Sequence, residues 1–188
     1  MASDDGWLGE IDRRTRLVRK ERLGMDLEDI CAIGKDLYVL DESLRLVYVL
    51  DEDTWKRKAI HPIDYHGARN LGPEAITYMP EVRHFIVVSE KLPILLMETD
   101  ENFTVLNQVE LHAMSDISSV TYHDHRLWLL SDEDHAVFEM NPDGFTIEKR
   151  WNLPVYNPEG ICFDDGGTLR IVSDDCRRLY TFPGPEAK

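Results

Sequence analysis

The chain has 188 residues, of which 43% are hydrophobic, and its 36 Asp and Glu against 21 Lys and Arg give a net charge of −15. This excess of acids opposes nucleic-acid binding, which depends on basic residues that meet phosphates. No apolar run approaches the roughly 20 residues that span a bilayer, so we expect neither nucleic acid as a partner nor membrane insertion. The length is sufficient for one domain with a sizeable core.

The N-terminal residues are predicted to lie outside the core. Residues 1–9 are expected to be a tag or a disordered lead, because they begin acidic and polar and lack the basic start and apolar core of a signal peptide. As written, the chain is therefore expected to be cytoplasmic. Thr15 to Leu23 alternates apolar and basic residues and predicts an outer strand. We expect one domain over residues 10–183 and a tail over residues 184–188.

Four similar segments follow this strand. Their reference positions, which we call the anchors, are Glu28, Glu74, Ser118 and Glu159, separated by 46, 44 and 41 residues. Each anchor begins an apolar segment, and a second apolar run, a third segment, an acidic or glycine turn and a more polar fourth segment come after it. A period of roughly 40–50 residues with several strands per unit is typical of propeller blades.

The pattern predicts an all-β propeller of four four-stranded blades. Inner strands are buried on both faces and read as continuous apolar runs, whereas outer strands alternate. The last unit stops at Phe182 without a fourth strand, so the N-terminal strand is predicted to complete the last blade and close the ring. Alternatively, the chain is a fragment of a larger propeller, or an engineered array, that self-associates. We expect a monomer if the ring is closed and an oligomer if the chain is a fragment.

The repeat units resemble the SdiA-regulated propeller family of bacteria. The residues that carry the resemblance are Leu27-Glu28-Asp29-Ile30, Gly72-Pro73-Glu74-Ala75-Ile76, Ile117-Ser118-Ser119-Val120 and Pro158-Glu159-Gly160-Ile161, each with the Asp41-Glu42, Ser89-Glu90, Ser131-Asp132 or Ser173 that ends the next run. The resemblance implies the propeller fold and, for full-length relatives, a bacterial envelope or periplasmic location. Members usually carry a signal or anchor and one more blade before the first Glu anchor, so the resemblance implies that this chain is shortened by one blade. Asp29, Ala75 and Ser119 also replace the expected Gly.

The anchors are also the candidate metal ligands. Equivalent residues of propeller blades converge near the axis, so Glu28, Glu74, Ser118 and Glu159 are predicted to face one another. Carboxylate and hydroxyl oxygens suit a hard cation such as Ca²⁺, and we expect no other cofactor. The alternative is structural: each Glu accepts backbone N–H groups of the neighbouring blade.

Several other features have a structural and a functional interpretation. The pairs that end the second runs, such as Asp41-Glu42 and Ser89-Glu90, either cap turns or line one mouth of the channel. The segment His123-Asp124-His125 is expected to be a solvated hairpin turn rather than a ligand pair. The cysteines are expected to be buried and inert. The four tryptophans, Trp7, Trp55, Trp128 and Trp151, are expected to pack between or on blades, with a carbohydrate platform as the alternative.

These features favour a non-enzymatic scaffold or binding module that presents loops around an acidic channel mouth, where a small ligand or a protein would bind. No catalytic residue is assigned, because none of the common nucleophile, zinc-protease or nucleotide-binding motifs occurs. The alternative is a metal-dependent hydrolase of the lactonase or phosphoesterase kind. It is implied by a resemblance to gluconolactonase propellers, in which an inner-strand Glu holds a divalent cation.

Overall fold

The computed structural model describes residues 1–12, 14–67 and 71–184, and its regular elements within these ranges are all strands. The strands are β1 (Trp7–Ile11), β2 (Leu17–Arg22), β3 (Leu27–Ile33), β4 (Asp36–Asp41), β5 (Leu46–Asp51), β6 (Arg57–Pro62), β7 (Pro73–Met79), β8 (His84–Ser89), β9 (Ile94–Thr99), β10 (Val105–Leu111), β11 (Ser119–His123), β12 (Arg126–Ser131), β13 (Ala136–Asn141), β14 (Thr146–Asn152), β15 (Pro158–Phe163), β16 (Leu169–Ser173) and β17 (Arg178–Phe182).

Strands β3 to β17 form four propeller blades, which confirms the predicted fold class. Blade 1 is β3–β6, blade 2 is β7–β10, blade 3 is β11–β14 and blade 4 is β15–β17, and within each blade consecutive strands pair antiparallel. The first strands contact one another in the order β3, β7, β11 and β15. The three Glu anchors therefore lie at equivalent places on inner strands, and Ser118 directly precedes β11.

The hydrophobic core lies between blades rather than within one central layer. Separate clusters pack blade 1 against blade 2, blade 2 against blade 3, and blade 3 against blade 4. Phe85 is at the centre of the first, with ring centroids 4.7 Å from Tyr38 and 4.6 Å from Phe103. The continuous apolar second strands, such as Phe85–Val88, are buried because both faces of an inner strand meet a neighbouring blade.

A buried aromatic residue with a left-handed backbone follows the acidic turn in each of the first three blades. Trp55, Phe103 and Phe145 occupy equivalent positions before or at the start of the fourth strands, and their φ values are 56°, 64° and 50°. The left-handed region is unfavourable for residues of this size. All three side chains are buried, so the apolar area that they remove from water offsets the backbone cost.

The N-terminal strands differ from the prediction. In the described residues β1 and β2 pair with each other, and β17 pairs with β16, so the last blade has three strands and is not completed by the N-terminal strand. Leu8 is 1% exposed and packs in a cluster with Leu27, Tyr48 and Trp55 of blade 1. This apolar contact holds the hairpin against the first blade instead of the last. Residues 7–9 therefore belong to β1, and the expected disordered lead is wrong for them.

Arg19 fastens β2 to blade 1. Its guanidinium lies 3.9 Å from the centroid of the Trp55 ring and donates hydrogen bonds to the carbonyl oxygens of Asp53 and Thr54 at 3.0 and 2.7 Å. We expect Arg19→Ala to destabilise this contact by about 1–2 kcal/mol, because a cation–π contact and two charged hydrogen bonds are lost. Hydrogen exchange should show faster exchange in β1 and β2 and unchanged exchange in β12. Arg22→Ala on the same strand is the matched control, and equal effects of the two variants would contradict the assignment.

Candidate functional site

The Glu anchors lie where their strands are irregular. The pairing of β3 with β4 shifts register between Leu27 and Ile30, and the same shift occurs at Glu74 in β7 and at Glu159 in β15. A β-bulge bends its strand and re-aims the side chain that it carries. The register shift therefore recurs at each of the three Glu anchors.

Two groups of carboxylates meet at this end of blades 1 and 2. Asp26, Glu28 and Glu42 form one group, and Glu42, Glu74 and Glu90 form the other; within each group, ligand oxygens lie within 4.8 Å of one another. We call these five residues the acidic mouth. Glu42 belongs to both groups, so the two possible ligand sets are continuous.

Among the residues that the structure describes, few positive groups face the acidic mouth. The Glu42 carboxylate accepts a hydrogen bond from the Gly72 N–H at 2.6 Å. Lys91 Nζ lies 2.7 Å from a Glu90 oxygen and 3.0 Å from Glu133. One lysine thus serves a carboxylate of the mouth and another outside it.

Burial and repulsion change the ionisation of these groups. Desolvation, reinforced by the nearby charges of Asp4 and Asp26, raises the pKa of Glu28 to about 9. Desolvation also raises the pKa of Glu74 well above its usual value, and the charges of Glu28 and Glu42 add to the shift. The pKa of Glu42 is raised for the same first reason. These shifts favour the protonated forms of Glu28, Glu42 and Glu74 over the ionised forms.

The four predicted ligands come together only in part. Glu28 and Glu74 are in the acidic mouth, whereas Glu159 is in neither carboxylate group, although its charge raises the pKa of Glu74. Burial, followed by the charge of Asp132, raises the pKa of Glu159 itself to about 7. The Ser118 hydroxyl is buried and donates to the Pro158 carbonyl oxygen at 2.8 Å.

The pairs at the ends of the second strands divide into two roles. The first members are fully buried and cap turns: Asp41 accepts the Met25 and Leu44 N–H groups, each at 3.0 Å. Ser89 similarly accepts the N–H of Leu95 at 2.8 Å. The second members, Glu42 and Glu90, instead reach the acidic mouth. In blades 1 and 2, the first residue of each pair therefore caps a turn and the second belongs to the acidic mouth.

In blade 1 the residue after the anchor, Asp29, carries hydrogen bonds between blades. Asp29 Oδ1 accepts the Ile30 N–H at 2.8 Å, and its Oδ2 accepts the Ile76 N–H of blade 2 at 3.0 Å and the Ser119 hydroxyl of blade 3 at 3.3 Å. Burial raises the pKa of Asp29 to about 7, although these donors oppose the shift. Sequence reasoning missed this role, but the signal was present because Asp29 replaces an expected Gly.

The same interblade contact recurs along the ring. The Ser119 hydroxyl oxygen accepts the Ile161 N–H of blade 4 at 3.4 Å. Blade 2 has Ala75 at the equivalent position, and there Thr77 Oγ1 accepts the Tyr122 N–H of blade 3 at 3.0 Å. Each of the first three blades thus offers a side-chain oxygen to a backbone N–H group of the next.

Other sequence-based expectations have mixed outcomes. Cys31 is half-buried and burial raises its pKa to about 12, which fits an inert thiol, but Cys162 is exposed and the expected burial is wrong there. His123 and His125 do flank a hairpin turn, with positive φ at Asp124 and His125. Their rings contact different neighbours, Phe163 and Glu81, so they do not form a ligand pair.

Solved structures of low sequence identity share this fold. A protein of unknown function from Bacteroides caccae is 12% identical, with a TM-score of 0.64 over 100% of this chain and 68% of its own. Glutaminyl cyclase from Myxococcus xanthus is 16% identical, with a TM-score of 0.74 over 89% of this chain and 76% of its own. Hydrazine synthase from Kuenenia stuttgartiensis is 14% identical, with a TM-score of 0.56 over 87% and 48%. These likenesses establish the fold alone.

Sequence comparison identifies the family. Curated proteins provide no match. In the part of the chain that the structure describes, no helix has the length and apolar character needed to cross a bilayer. The SdiA-regulated family model matches residues 7–183, which include all four blades and the acidic mouth. The chain therefore belongs to the SdiA-regulated family.

Proposed function

We propose that this chain is a non-enzymatic binding module whose acidic mouth takes up a divalent cation, preferably Ca²⁺. The observation that carries the proposal is the pair of carboxylate groups that share Glu42. Two oxygens that each lie about 2.4 Å from one Ca²⁺ ion are at most about 4.8 Å apart. The spacing within each group is therefore compatible with a single ion.

The electrostatics support the same ligand. The pKa of Glu28 is raised to about 9 and that of Glu74 is raised well above its usual value, in both cases chiefly by desolvation. A bound cation would remove the repulsion that these groups impose on one another, and hard cations prefer oxygen ligands. Binding would thus be coupled to the release of protons.

The cation would also organise the loops that present a partner-binding surface. Glu42 and Glu90 lie at the ends of the second strands of blades 1 and 2, beside the turns to the third strands. A shared ion would hold these two turns together. The proposed partner, a small ligand or a protein, would then meet a loop face whose shape depends on the ion.

We expect Ca²⁺ to raise the melting temperature of the wild-type protein and Glu74→Gln to abolish this response. At a hundredfold excess over Kd, binding to the folded state contributes about 2.7 kcal/mol, or a rise of about 5–10 °C for a chain of this size. Without Ca²⁺, Glu74→Gln should melt at or above the wild-type temperature near pH 8, because the substitution removes a buried carboxyl group whose ionised form is unfavourable. Thermal melts in EDTA and in excess Ca²⁺ measure both effects.

Glu52→Gln is the matched control, because Glu52 is an exposed acid on a turn of blade 1. It should keep the full Ca²⁺ response. A wild-type melting temperature that ignores Ca²⁺, or a Glu74→Gln variant that retains the whole shift, would disprove the cation site. Melts at two protein concentrations test the oligomer expected of a fragment, since mass action makes the stability of an associated state concentration-dependent.

A further inference from the structure

Three exposed apolar side chains lie beside the acidic mouth. Met25, Leu44 and Leu92 are 61%, 44% and 80% exposed, and each stands one or two residues along the chain from a carboxylate of the mouth. Because those carboxylates converge, the three side chains share one end of blades 1 and 2, although they are distant in the sequence. We call them the apolar rim. Tyr156, which is 63% exposed, lies on the loop between β14 and β15 at the same end of the strands.

Buried polar side chains hold the backbone of the rim. The Asp41 carboxylate accepts the N–H groups of both Met25 and Leu44, each at 3.0 Å, so these two rim residues lie next to each other. In blade 2 the Ser89 hydroxyl donates to the carbonyl oxygen of Pro93, directly after the third rim residue, at 3.0 Å. The rim side chains are therefore displayed from turns whose backbone is fixed.

Gly72 joins the turn of blade 1 to the turn of blade 2. Its N–H donates to a Glu42 carboxylate oxygen at 2.6 Å, and its carbonyl oxygen accepts the Glu90 N–H at 3.1 Å. These contacts belong to the chain itself, so the positions of the rim residues do not depend on a cation. A surface whose contact residues are already in place loses less conformational entropy when a partner binds.

The opposite end of the strands does not share this feature. Among the turns described there, Val82 between β7 and β8 is the one that displays a large exposed apolar side chain, at 51%. The aromatic residues of the other turns, Trp55, Phe103 and Phe145, are buried. A set of exposed apolar side chains that polar residues border is typical of a protein-interaction surface. The rim is therefore a docking surface to consider, and Val82 offers a comparison within the same chain.

The charge beside the rim is negative. Five carboxylates form the mouth, and Lys91 is shared between the mouth and Glu133. Arg45 is directed elsewhere, because its guanidinium donates to the carbonyl oxygens of Tyr65 and Gly67 at 2.8 and 2.9 Å. Juxtaposed like charges oppose association, so this surface repels an acidic partner and attracts a basic one. A cationic side chain would also favour the ionised forms of the mouth carboxylates, which burial disfavours.

We propose that the apolar rim and the acidic mouth together dock a basic segment of another protein, in which large apolar side chains stand among Lys or Arg. The apolar side chains of the segment would pack on Met25, Leu44 and Leu92, and its cationic groups would meet the carboxylates between them. Such a segment would occupy the loop face of the proposed binding module, on which this inference rests. It does not require a cation in the mouth, because Asp41 and Gly72 already hold the rim.

Fluorescence anisotropy in EDTA with a labelled peptide of repeated Lys-Leu-Leu-Lys units tests the docking surface. We expect a Kd between about 1 and 100 μM. The double variant Leu44→Ser and Leu92→Ser should weaken binding at least about tenfold, because the peptide loses two apolar contacts. Both side chains are exposed, so circular dichroism should show a folded variant with a melting temperature close to that of the wild type. Val82→Ser is the matched control and should leave the affinity unchanged.

Two further peptides separate the apolar from the electrostatic contribution. A peptide with Ser in place of each Leu should bind about tenfold more weakly, and one with Glu in place of each Lys should not bind. The inference would be overturned by no anisotropy change at about 1 mM protein, by equal binding of the Ser peptide, or by an equal loss in Val82→Ser. The thermal melts test the cation separately: a melting temperature that ignores Ca²⁺, together with rim-dependent binding in EDTA, would remove the cation and keep the docking surface.

Discussion

Acidification from about pH 8 to about pH 5.5 in EDTA should raise the melting temperature of this protein by about 5 °C or more. The pKa of Glu28 is about 9 in the folded chain against 4.5 for the ordinary side chain, and that of Glu159 is about 7. Between pH 4.5 and these folded-state pKa values, the two carboxyl groups are ionised in the unfolded chain but protonated in the folded chain. The contribution of these two groups to stability is therefore fully present below about pH 4.5 and is lost as the pH rises through their folded-state pKa values.

The gain should reverse at lower pH. Arg170 beside Asp164 holds the pKa of that carboxyl down at about 2, and Thr54 and Lys58 depress the pKa of Asp51. Groups with depressed pKa values stabilise the folded chain above their unfolded pKa and lose this contribution as the pH falls. We therefore expect a stability maximum near pH 5. Glu28→Gln should flatten the limb above this maximum, and a wild-type curve that rises from pH 5.5 to pH 8 would contradict the assigned shifts.

Asp29→Ala should lower the free energy of unfolding by about 2–5 kcal/mol, and the melting temperature by about 5–20 °C. The substitution removes the acceptor of the Ile30 and Ile76 N–H groups and of the Ser119 hydroxyl. Each buried donor left without a partner costs about 1–3 kcal/mol. Urea unfolding of the variant and the wild type measures the difference.

Asp53→Ala is the control for this prediction, because Asp53 is an exposed acid of blade 1 that pairs with Lys35 at the surface. Its effect should be within about 0.5 kcal/mol, as for exposed ion pairs in general. Asp29→Asn keeps one carbonyl acceptor, so its loss in free energy of unfolding should lie between those of Asp29→Ala and Asp53→Ala. If Asp29→Ala were as mild as the control, the interblade role of Asp29 would be refuted.

The blades could be predicted from the sequence because they repeat. Anchor spacing, apolar second runs such as Phe85–Val88 and polar fourth strands depend on burial alone, and burial leaves a periodic trace. The placement of β1 and β2 was less readable. The sequence pattern allows Leu8 to pack against either the first or the last blade. Its contact with Leu27 and Trp55 in the folded chain places it against the first.

The candidate site was half predictable for a similar reason. Glu28 and Glu74 were indicated by their repeated position, but the convergence of Glu42 with both depends on how two neighbouring blades are rotated. The direction of the Glu159 side chain is likewise not a property of its spacing. Asp29 was visible as an exception to the repeat, and exceptions to a repeat were the best available pointer to a particular role.

The hydrogen bonds from one inner strand to the next give the blade array a polarity. Asp29, Thr77 and Ser119 all offer an acceptor to a blade that follows in the chain. Loosening blade 1 would therefore deprive blades 2 and 3 of partners, whereas loosening blade 4 would release its own Ile161 N–H. The free energy of local opening should be lowest for the C-terminal blade and should increase toward the N-terminal blades. The order of the blades along the chain is then also the order of their resistance to opening.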